Sequence, residues 1–446
     1  MRLRADAVGE RAAAALTLAA VAAAYATAFR ATFHFDDLHT VVANADVHSW
    51  SAWAASLPAM RALTKASYVA SHALSAAPWS FVLLGAALHA ACAWLVLALG
   101  RRWLAGLGAP ASALPAAFAA ALVFALHPAQ TEAVTYASGR SVVLAACLYL
   151  AALLAYERAR GGAPAMHAVS LAAFALALAA RETAWTLPFA IVLLEAARAQ
   201  PWREALRRAA PHAAVLVAAL AAMGLSPTYR RLLRESLATR GPLENLYAQV
   251  EGIAYLVTHP LLTLRVNFDP DVAVPPVPDA GWWLAAAALA ATIAAGFASL
   301  RRAPWLGVAL LWFLLHLAPT NGPIARYDLV NDRQLYLALI GPALALGVVL
   351  ARVARAWRAA ALTVVAVVLG VATALRNLDY ASDLALWQAT VRASPAKSRA
   401  WNNLGWAHQQ SGDAAQARAA YARALALDPA NFRARANLDA LGAPPR

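Results

Sequence analysis

The amino-acid sequence predicts an all-α, polytopic membrane helix bundle of about 11 spans with a small helical segment at its C-terminus. Composition is the first observation: of 446 residues, 62% are hydrophobic and 13% are charged. Soluble domains average about 45–50% apolar and about 25% charged residues. The second observation is a series of long apolar runs, and the third is an abrupt change to a soluble helical pattern near residue 377. We therefore predict two domains, 1–376 and 377–446.

The apolar runs define the candidate membrane spans, because a spanning helix needs about 20 mostly apolar residues. The runs are 12–30, 79–99, 112–127, 141–157, 165–181, 184–198, 211–226, 282–300, 305–320, 335–353 and 359–376. Polar residues interrupt the stretch 244–264, which we interpret as an interfacial or re-entrant helix. Cys92 and Cys147 both fall inside spans, so we expect neither a disulfide nor a metal site from them.

Arginines indicate the orientation, because cytoplasmic loops carry an excess of basic residues. With the N-terminus inside, the compact clusters fall on one side: Arg101 and Arg102; Arg158 and Arg160; Arg198, Arg203, Arg207 and Arg208; Arg301 and Arg302; Arg352, Arg355 and Arg358. This predicts a multi-pass protein of a bacterial inner membrane, with the loops 31–78, 127–140, 227–280 and 321–334 and the C-terminal segment in the periplasm. The net charge of +14 is scattered between apolar blocks, which argues against nucleic-acid binding.

The C-terminal segment has the spacing of one tetratricopeptide repeat (TPR) over residues 398–431. Its signature positions are Trp401, Leu404, Gly405, Ala417, Tyr421, Ala424 and Pro429. Half repeats flank it on both sides. Because at least about three repeats are usually needed for independent stability, we expect this segment to dock on the membrane domain or on a partner.

Polar side chains concentrate in the predicted outer loops, at the same end of several apolar segments. They are Asp36, Asp37 and His39 in FHFDDLHT; Arg61 and Lys65 in RALTKASY; His127, Glu132 and Arg140 in HPAQTEAVTYASGR; Glu182 in RETAW; and Asp332 and Arg333 in YDLVNDRQLY. Each has a simpler interpretation alone, such as a solvated helix end, a headgroup anchor or a helix cap. Together they predict one polar cavity that opens outward.

These residue types suit glycosyl transfer from a lipid-linked donor. Adjacent carboxylates repel each other, so one of the pair can have a raised pKa, and a carboxylate in a partly dry site can act as a general base toward a hydroxyl. Arginine binds phosphate in a bidentate manner and stays charged. The sequence has neither a GxxxxGK[ST] loop nor a Rossmann glycine fingerprint, which favours a polyprenyl-phosphate sugar over a nucleotide sugar.

The motifs FDDLHT, RALTKASY, HPAQTEAVTYASGR, RETAWTLP, NDRQLY and RNLDYASDLALW occur in the order in which the transmembrane-and-TPR O-mannosyltransferases carry similar motifs. The chain also resembles the wider class of GT-C glycosyltransferases. The resemblance implies a GT-C fold, a polyprenyl-phosphate-hexose donor (such as a mannose donor) and Asp36 as the catalytic carboxylate, with Asp37 as its acidic neighbour. It places His127, Glu132 and Arg140 on the second loop's motif, and Asp332 and Arg333 where the family has a Glu-Arg pair.

We therefore predict an inverting membrane glycosyltransferase in which Asp36 is the general base and Asp37 positions it. Arg333, with Arg140 or Arg61, would bind the donor phosphate. The other predicted cavity residues are His39, Lys65, His127, Glu132, Glu182 and Asp332. The chemistry requires no metal, although an acidic pair could hold a divalent ion. The acceptor would be a protein or a glycan, held in part by the repeat segment.

Two other functions fit some of these observations. A non-catalytic membrane scaffold would use the repeats to recruit an envelope partner. A transporter of lipid-linked sugars would place its ionisable residues near the bilayer midplane between inverted repeats; here they cluster at span ends and no inverted repeat is visible.

Overall fold

The computed structural model describes residues 2–58, 60–109 and 113–442, and within them the chain is helical without a β-strand. The helices of the first half are α1 (Arg2–Ala24), α2 (Trp50–Ala55), α3 (Ala62–Leu74), α4 (Pro78–Gly106), α5 (Ala113–Leu126), α6 (Thr131–Val134), α7 (Arg140–Arg160), α8 (Met166–Ala180), α9 (Leu187–Ala197) and α10 (Trp202–Leu225). Those of the second half are α11 (Pro227–Thr239), α12 (Pro242–Leu256), α13 (Ala280–Arg302), α14 (Pro304–Leu317), α15 (Leu335–Ala338), α16 (Ile340–Arg352), α17 (Arg355–Asp379), α18 (Asp383–Ala393), α19 (Ser398–Gln410), α20 (Ala414–Leu427) and α21 (Phe432–Gly442). The predicted all-α class is confirmed.

Each predicted span falls on a helix, but the helices differ in length. Six are long and apolar enough to cross a membrane, and two bent pairs, α5 with α6 and α15 with α16, raise the number to eight. The apolar helices α8 and α14 have 15 and 14 residues, and α9 has 11. At 1.5 Å per residue, such helices rise only about 16–22 Å, less than the hydrocarbon thickness of about 30 Å. The count of eleven therefore stays a prediction.

Alanine and glycine let the central helices approach closely. Helix α5 lies between α4 and α16, and Ala117 and Ala120 on it are fully buried. A Cβ at Gly347 of α16 would collide with the carbonyl oxygen of Ala116. Small residues at helix contacts are typical of membrane bundles, where close backbone approach maximises van der Waals packing.

An ion network closes the end of the bundle opposite the first loop. The carboxylate of Glu195, whose side chain is fully buried, pairs with Arg160, Arg198 and Arg208 at 2.9 Å each. Arg198 also pairs with Glu157 at 2.6 Å. Several arginines whose positions served only to predict the orientation of the chain therefore pair with buried glutamates.

Candidate active site

The first loop enters the site through a strained residue. Phe35 has a left-handed backbone, with φ of 44°, a conformation that costs a non-glycine residue about 1–3 kcal/mol and persists only where the surroundings enforce it. Its ring packs edge-to-face on Trp387 and Phe268, with centroids 5.8 and 6.3 Å away. This aromatic contact holds the loop in place immediately before the acidic pair.

Asp36 presents a free carboxylate to a cavity. Its backbone N–H donates to the hydroxyl of Tyr136 at 2.9 Å, and its carbonyl accepts from Thr40 Oγ1 at 2.9 Å. The half-buried carboxylate itself accepts no hydrogen bond from the residues that the structure describes. Its backbone is therefore fixed while its side chain stays available to a ligand.

Asp37 points the other way and is almost fully buried. Its Oδ1 accepts from the backbone N–H and the hydroxyl of Ser138 at 2.7 and 2.6 Å, and its Oδ2 accepts from the N–H of His34 at 3.2 Å. Burial raises the pKa of Asp37 to about 6, although these hydrogen bonds act in the opposite direction. Asp37 thus ties the first loop to the turn before α7, as a positioning residue would.

The catalytic cavity, as we call the space in front of Asp36, has a volume of about 20 Å³. It is lined by Phe35, Asp36, Glu132, Tyr136, Phe268, Asp269, Asp328, Asn331, Arg333, Trp387 and Arg399. Glu132 accepts from the backbone N–H of Arg333 at 3.0 Å and forms a 3.4 Å ion pair with its side chain. The negative charges of Glu132 and Asp36 both attract the Arg333 guanidinium, so the predicted residues Asp36, Glu132 and Arg333 do lie together.

A second cavity, which we call the arginine cavity, shares Asn331 and Arg333 with the catalytic cavity and has a volume of about 40 Å³. Arg181 and Arg333 supply its charge, and Val142, Ala145 and Ala146 of α7 supply an apolar wall. Arg333 lines both cavities. The site therefore has a compartment lined by several acids and a basic, partly apolar compartment, and Asn331 and Arg333 line both.

Around the arginine cavity, arginine side chains outnumber the carboxylates that pair with them. The buried Arg181 donates to the hydroxyl of Ser141 at 2.6 Å and pairs with no carboxylate among the described residues. Burial lowers the pKa of Arg181, and the nearby Arg61, Arg326 and Arg333 lower it further. Burial and the neighbouring guanidinium groups also lower the pKa of Arg326, to about 10. Such clustering of cations favours an anionic ligand.

Arg61 and Glu182, both predicted as site residues, form a pair beside this cluster. Arg61 Nη2 lies 2.8 Å from Glu182 Oε2, and Tyr229 of α11 donates to Oε1 of the same carboxylate at 2.9 Å. Burial alone would raise the pKa of Glu182, but Arg61 and Arg181 bring it down to about 2. Neither residue of the pair lines a cavity, so Arg61 influences the site through its charge.

Arg140, which the sequence predicts as a phosphate-binding residue, lines neither the catalytic nor the arginine cavity. Its guanidinium is buried between α3 and α4, where it donates to Ser71 Oγ at 3.1 Å and to the carbonyls of Ser67 and Phe81. All these acceptors belong to α3 or α4. Arg140 therefore links the start of α7 to these two helices, next to the first loop.

Four other predicted cavity residues do not line the catalytic or the arginine cavity. Lys65 pairs with Asp46 within the first loop at 2.8 Å. His127 is buried and accepts from the N–H of Ala129 in the turn after α5. Asp332 is buried behind Arg333 and accepts from the N–H of Asn267 at 2.7 Å. His39 lines a third, larger space between the first loop and the repeat segment.

Sequence reasoning missed three charged residues of the catalytic cavity: Asp269 in the loop 227–280, Arg399 in the repeat segment, and Asp328 in the motif YDLVNDRQLY, of which only Asp332 and Arg333 were predicted as site residues. Arg399 of α19 donates to both oxygens of Asp269 at 2.7 and 2.5 Å and to Asp328 at 2.7 Å. The repeat segment thus docks on the loops of the membrane domain and completes the site. For Arg399 the sequence signal was the predicted need of a short repeat array for a docking surface, and for Asp328 it was membership of the motif YDLVNDRQLY.

Further contacts fasten the repeat segment to the same loops. His34 Nδ1 lies 2.6 Å from the carboxylate of Asp383, and Ser394 Oγ accepts from Asn267 Nδ2 at 2.6 Å. Lys397 Nζ donates to the carbonyl of Pro270 at 3.0 Å. Within residues 2–58, 60–109 and 113–442, no three His, Cys, Asp or Glu side chains form a metal-binding group.

Comparisons with known proteins relate this architecture to one group of enzymes. A family model described as tetratricopeptide repeat matches residues 398–431. The chain is 30% identical over 162 residues to protein O-mannosyl-transferase TMTC3 of Mus musculus, a match that covers 33% of this chain and 17% of the mouse protein. It is 30% identical over 151 residues to protein O-mannosyl-transferase Tmtc2 of Drosophila melanogaster, covering 30% and 15%.

No solved structure gives a significant match. The matches to the curated relatives cover less than a fifth of the relatives' own length. Over about a third of its length, this TPR-containing chain is a homologue of the transmembrane-and-TPR O-mannosyltransferases, as its motifs predict.

Proposed function

We propose that this chain is a membrane glycosyltransferase that moves a hexose from a polyprenyl-phosphate carrier to an acceptor hydroxyl, with inversion at the anomeric carbon. The observation that supports the proposal is that Arg333 lines two compartments, one lined also by Asp36 with its free carboxylate and one lined also by Arg181. An inverting displacement needs the base and the leaving group on opposite faces of the sugar. In the proposed complex, the acceptor hydroxyl occupies the first compartment and the donor phosphate the second.

In the proposed reaction, the Asp36 carboxylate takes the proton of the acceptor hydroxyl as its oxygen forms a bond to the anomeric carbon. The bond between that carbon and the phosphate oxygen breaks, and its electron pair leaves with the polyprenyl phosphate. Arg333 and Arg181 would stabilise the departing phosphate, because fixed guanidinium groups stabilise charge as it develops. The apolar wall of α7 suits the first part of a lipid chain.

The two compartments hold about 20 and about 40 Å³, and one water needs about 10–15 Å³ by such a measure. A hexose is far larger, so donor binding requires the walls to separate. The contact of Arg399 with Asp269 and Asp328 joins the repeat segment to two loops that line the catalytic cavity. In a bacterium, with the orientation that the arginines predict, the reaction would take place on the periplasmic side of the inner membrane.

The test is a transfer assay on the purified protein with a panel of polyprenyl-phosphate hexoses and mass spectrometry of the products. Asp36→Asn should lower kcat by about 100- to 10,000-fold, the usual contribution of a general base, while donor KM stays near that of the wild type. Asp46→Asn is the matched control, since it removes a carboxylate of the same loop that pairs with Lys65 outside the cavities. An Asp36→Asn protein with full activity would refute the assignment of the base.

A further inference from the structure

Two buried side-chain amides line the arginine cavity without hydrogen-bond partners. Both ends of the Gln334 amide, Oε1 and Nε2, are unpaired within the described part of the chain, and so is Oδ1 of Asn331. Gln334 is 7% exposed and Asn331 is 4% exposed, and both line the cavity. A buried polar atom without a partner costs about 1–3 kcal/mol. Unpaired amides in a cavity wall therefore indicate a place for a polar ligand.

The local backbone places the two amides on one side of the chain. Asn331 precedes the short 3-10 helix Asp332–Gln334, and the N–H of Gln334 donates to the carbonyl of Asn331 at 3.1 Å. Side chains three residues apart in such a turn eclipse each other. Asn331 also lines the catalytic cavity, together with Asp36. The amides therefore extend from the junction of the two cavities into the arginine cavity.

The unpaired oxygens restrict the chemistry of the ligand group that they contact. A phosphate diester or a carboxylate carries acceptors only, so neither can satisfy Oε1 of Gln334 or Oδ1 of Asn331. An ammonium group is repelled by Arg181 and Arg333, which line the same cavity. A hydroxyl donates to these oxygens and accepts from Nε2 of Gln334. Because both ends of the Gln334 amide are unpaired, this holds for either orientation of the amide.

We propose that Asn331 and Gln334 form a sugar subsite that selects the transferred hexose by its ring hydroxyls, with Asn331 on the 2-hydroxyl. This inference rests on the proposed function and specifies its donor as an uncharged hexose. The reacting carbon lies between the acceptor and the phosphate, and Asn331 is the amide that lines both cavities. The 2-hydroxyl is on the neighbouring carbon, and hydrogen bonds to it strengthen in the transition state of glycosyl transfer.

The experiment measures donor binding separately from transfer. The probes are farnesyl phosphate, its mannose and glucose esters and the 2-deoxyglucose ester, titrated by calorimetry into the full-length protein in lipid nanodiscs without an acceptor. Mannose and glucose differ only at carbon 2. The wild type should bind one of these two esters about tenfold more tightly than the other and than the 2-deoxy ester, the usual effect of one lost hydrogen bond in a buried site.

Two variants separate the sugar from the phosphate. Gln334→Met keeps the length of the side chain and removes the amide, and it should weaken binding of the preferred ester about tenfold more than binding of farnesyl phosphate. In Asn331→Ala, the preferred and the 2-deoxy esters should bind equally, because neither then has the contact at carbon 2. Gln416→Met, at an exposed position of α20 outside the cavities, is the matched control and should keep every wild-type Kd.

Thermal unfolding distinguishes ligand binding from a structural role. Gln334→Met removes an unpaired amide, so the melting temperature of the ligand-free protein should stay the same or rise. A fall of several degrees, with an equal loss of affinity for all four probes, would show that Gln334 supports the fold and would refute the inference. Hexose esters that bind no more tightly than farnesyl phosphate, or a 2-deoxy ester that binds as tightly as both hexose esters, would also overturn it.

The inference and the proposed function can fail separately. Transfer of a hexose by Asn331→Ala and Gln334→Met with the wild-type preference among the esters would refute the subsite and leave the proposed function standing. Sugar-selective binding that depends on Gln334, in a protein that transfers no hexose from any polyprenyl-phosphate donor, would support the subsite and refute the proposed function.

Discussion

Asp37 provides a quantitative test of how the first loop is held, because its burial makes stability depend on pH. Burial raises the pKa of this carboxyl from an ordinary value to about 6. Starting from an ordinary value of about 4, the difference amounts to about 3 kcal/mol at ~1.4 kcal/mol per pKa unit. Because the folded state binds the proton more tightly than the unfolded state, the contribution is complete below about pH 4 and is lost as the pH rises through about 6.

The perturbation is Asp37→Asn, which keeps the shape of the side chain and cannot ionise. The free energy of unfolding of both proteins is measured in the same mild detergent at intervals from pH 4 to pH 7.5. Relative to the variant, the wild type should lose up to about 3 kcal/mol of unfolding free energy as the pH rises from about 4 through about 6. At higher pH, the difference between the two proteins should stay constant. Asp46→Asn serves as the control, because its surface pair with Lys65 contributes little. A wild-type advantage that grows with pH, or that does not change, would show that the hydrogen bonds from Ser138 and His34 outweigh burial.

The remaining predictions concern the compartments and their supports. Arg181→Gln should raise the donor KM about tenfold or more and leave acceptor KM near the wild-type value, as shown by initial-rate kinetics; an unchanged donor KM would exclude this residue from phosphate binding. Tyr136→Phe removes the acceptor of the Asp36 N–H and should lower kcat severalfold without loss of thermal stability. Gly139→Ala would press a Cβ against the carbonyl oxygen of Glu132 and should lower the melting temperature by several degrees. In the comparison variant Gly162→Ala, the Cβ would enter open space, so only the strained φ would act. Arg399→Gln removes the two short hydrogen bonds to the buried Asp269, which keeps only the 3.7 Å pair with Lys397, and should increase protease cleavage between the two domains, since breaking a buried pair costs up to about 3–5 kcal/mol.

Hydropathy and spacing were sufficient for the class of fold, because both follow from local composition. The apolar runs, the repeat at 398–431 and the soluble C-terminal segment all correspond to helices. The lengths of the helices were less predictable, because α9 and α14 end where loops turn back into the bundle. Such ends depend on tertiary packing rather than on the apolar run itself.

The site was predictable where one motif supplies both the residue and its neighbour, as in Asp36 and Asp37. It was not predictable where a side chain contacts residues of an element distant in the sequence. Arg140 lies in a motif that favours phosphate binding, yet the carbonyls of α3 and α4 occupy its donors. Arg399 is not one of the signature positions of the repeat, and only the docked arrangement brings it to Asp269.

The contacts that each acid of the catalytic cavity already makes support the proposal that Asp36 is the base. Asp269 and Asp328 accept from Arg399, and Glu132 accepts from Arg333. A carboxylate so engaged must first break these contacts before an incoming hydroxyl can bind to it. Asp36 lines the same cavity and accepts nothing from the described residues, and its backbone is fixed by Tyr136. The group that can take a proton from an incoming hydroxyl without first breaking an ion pair is therefore Asp36, and the neighbouring Asp37 keeps the loop in the position that leaves it free.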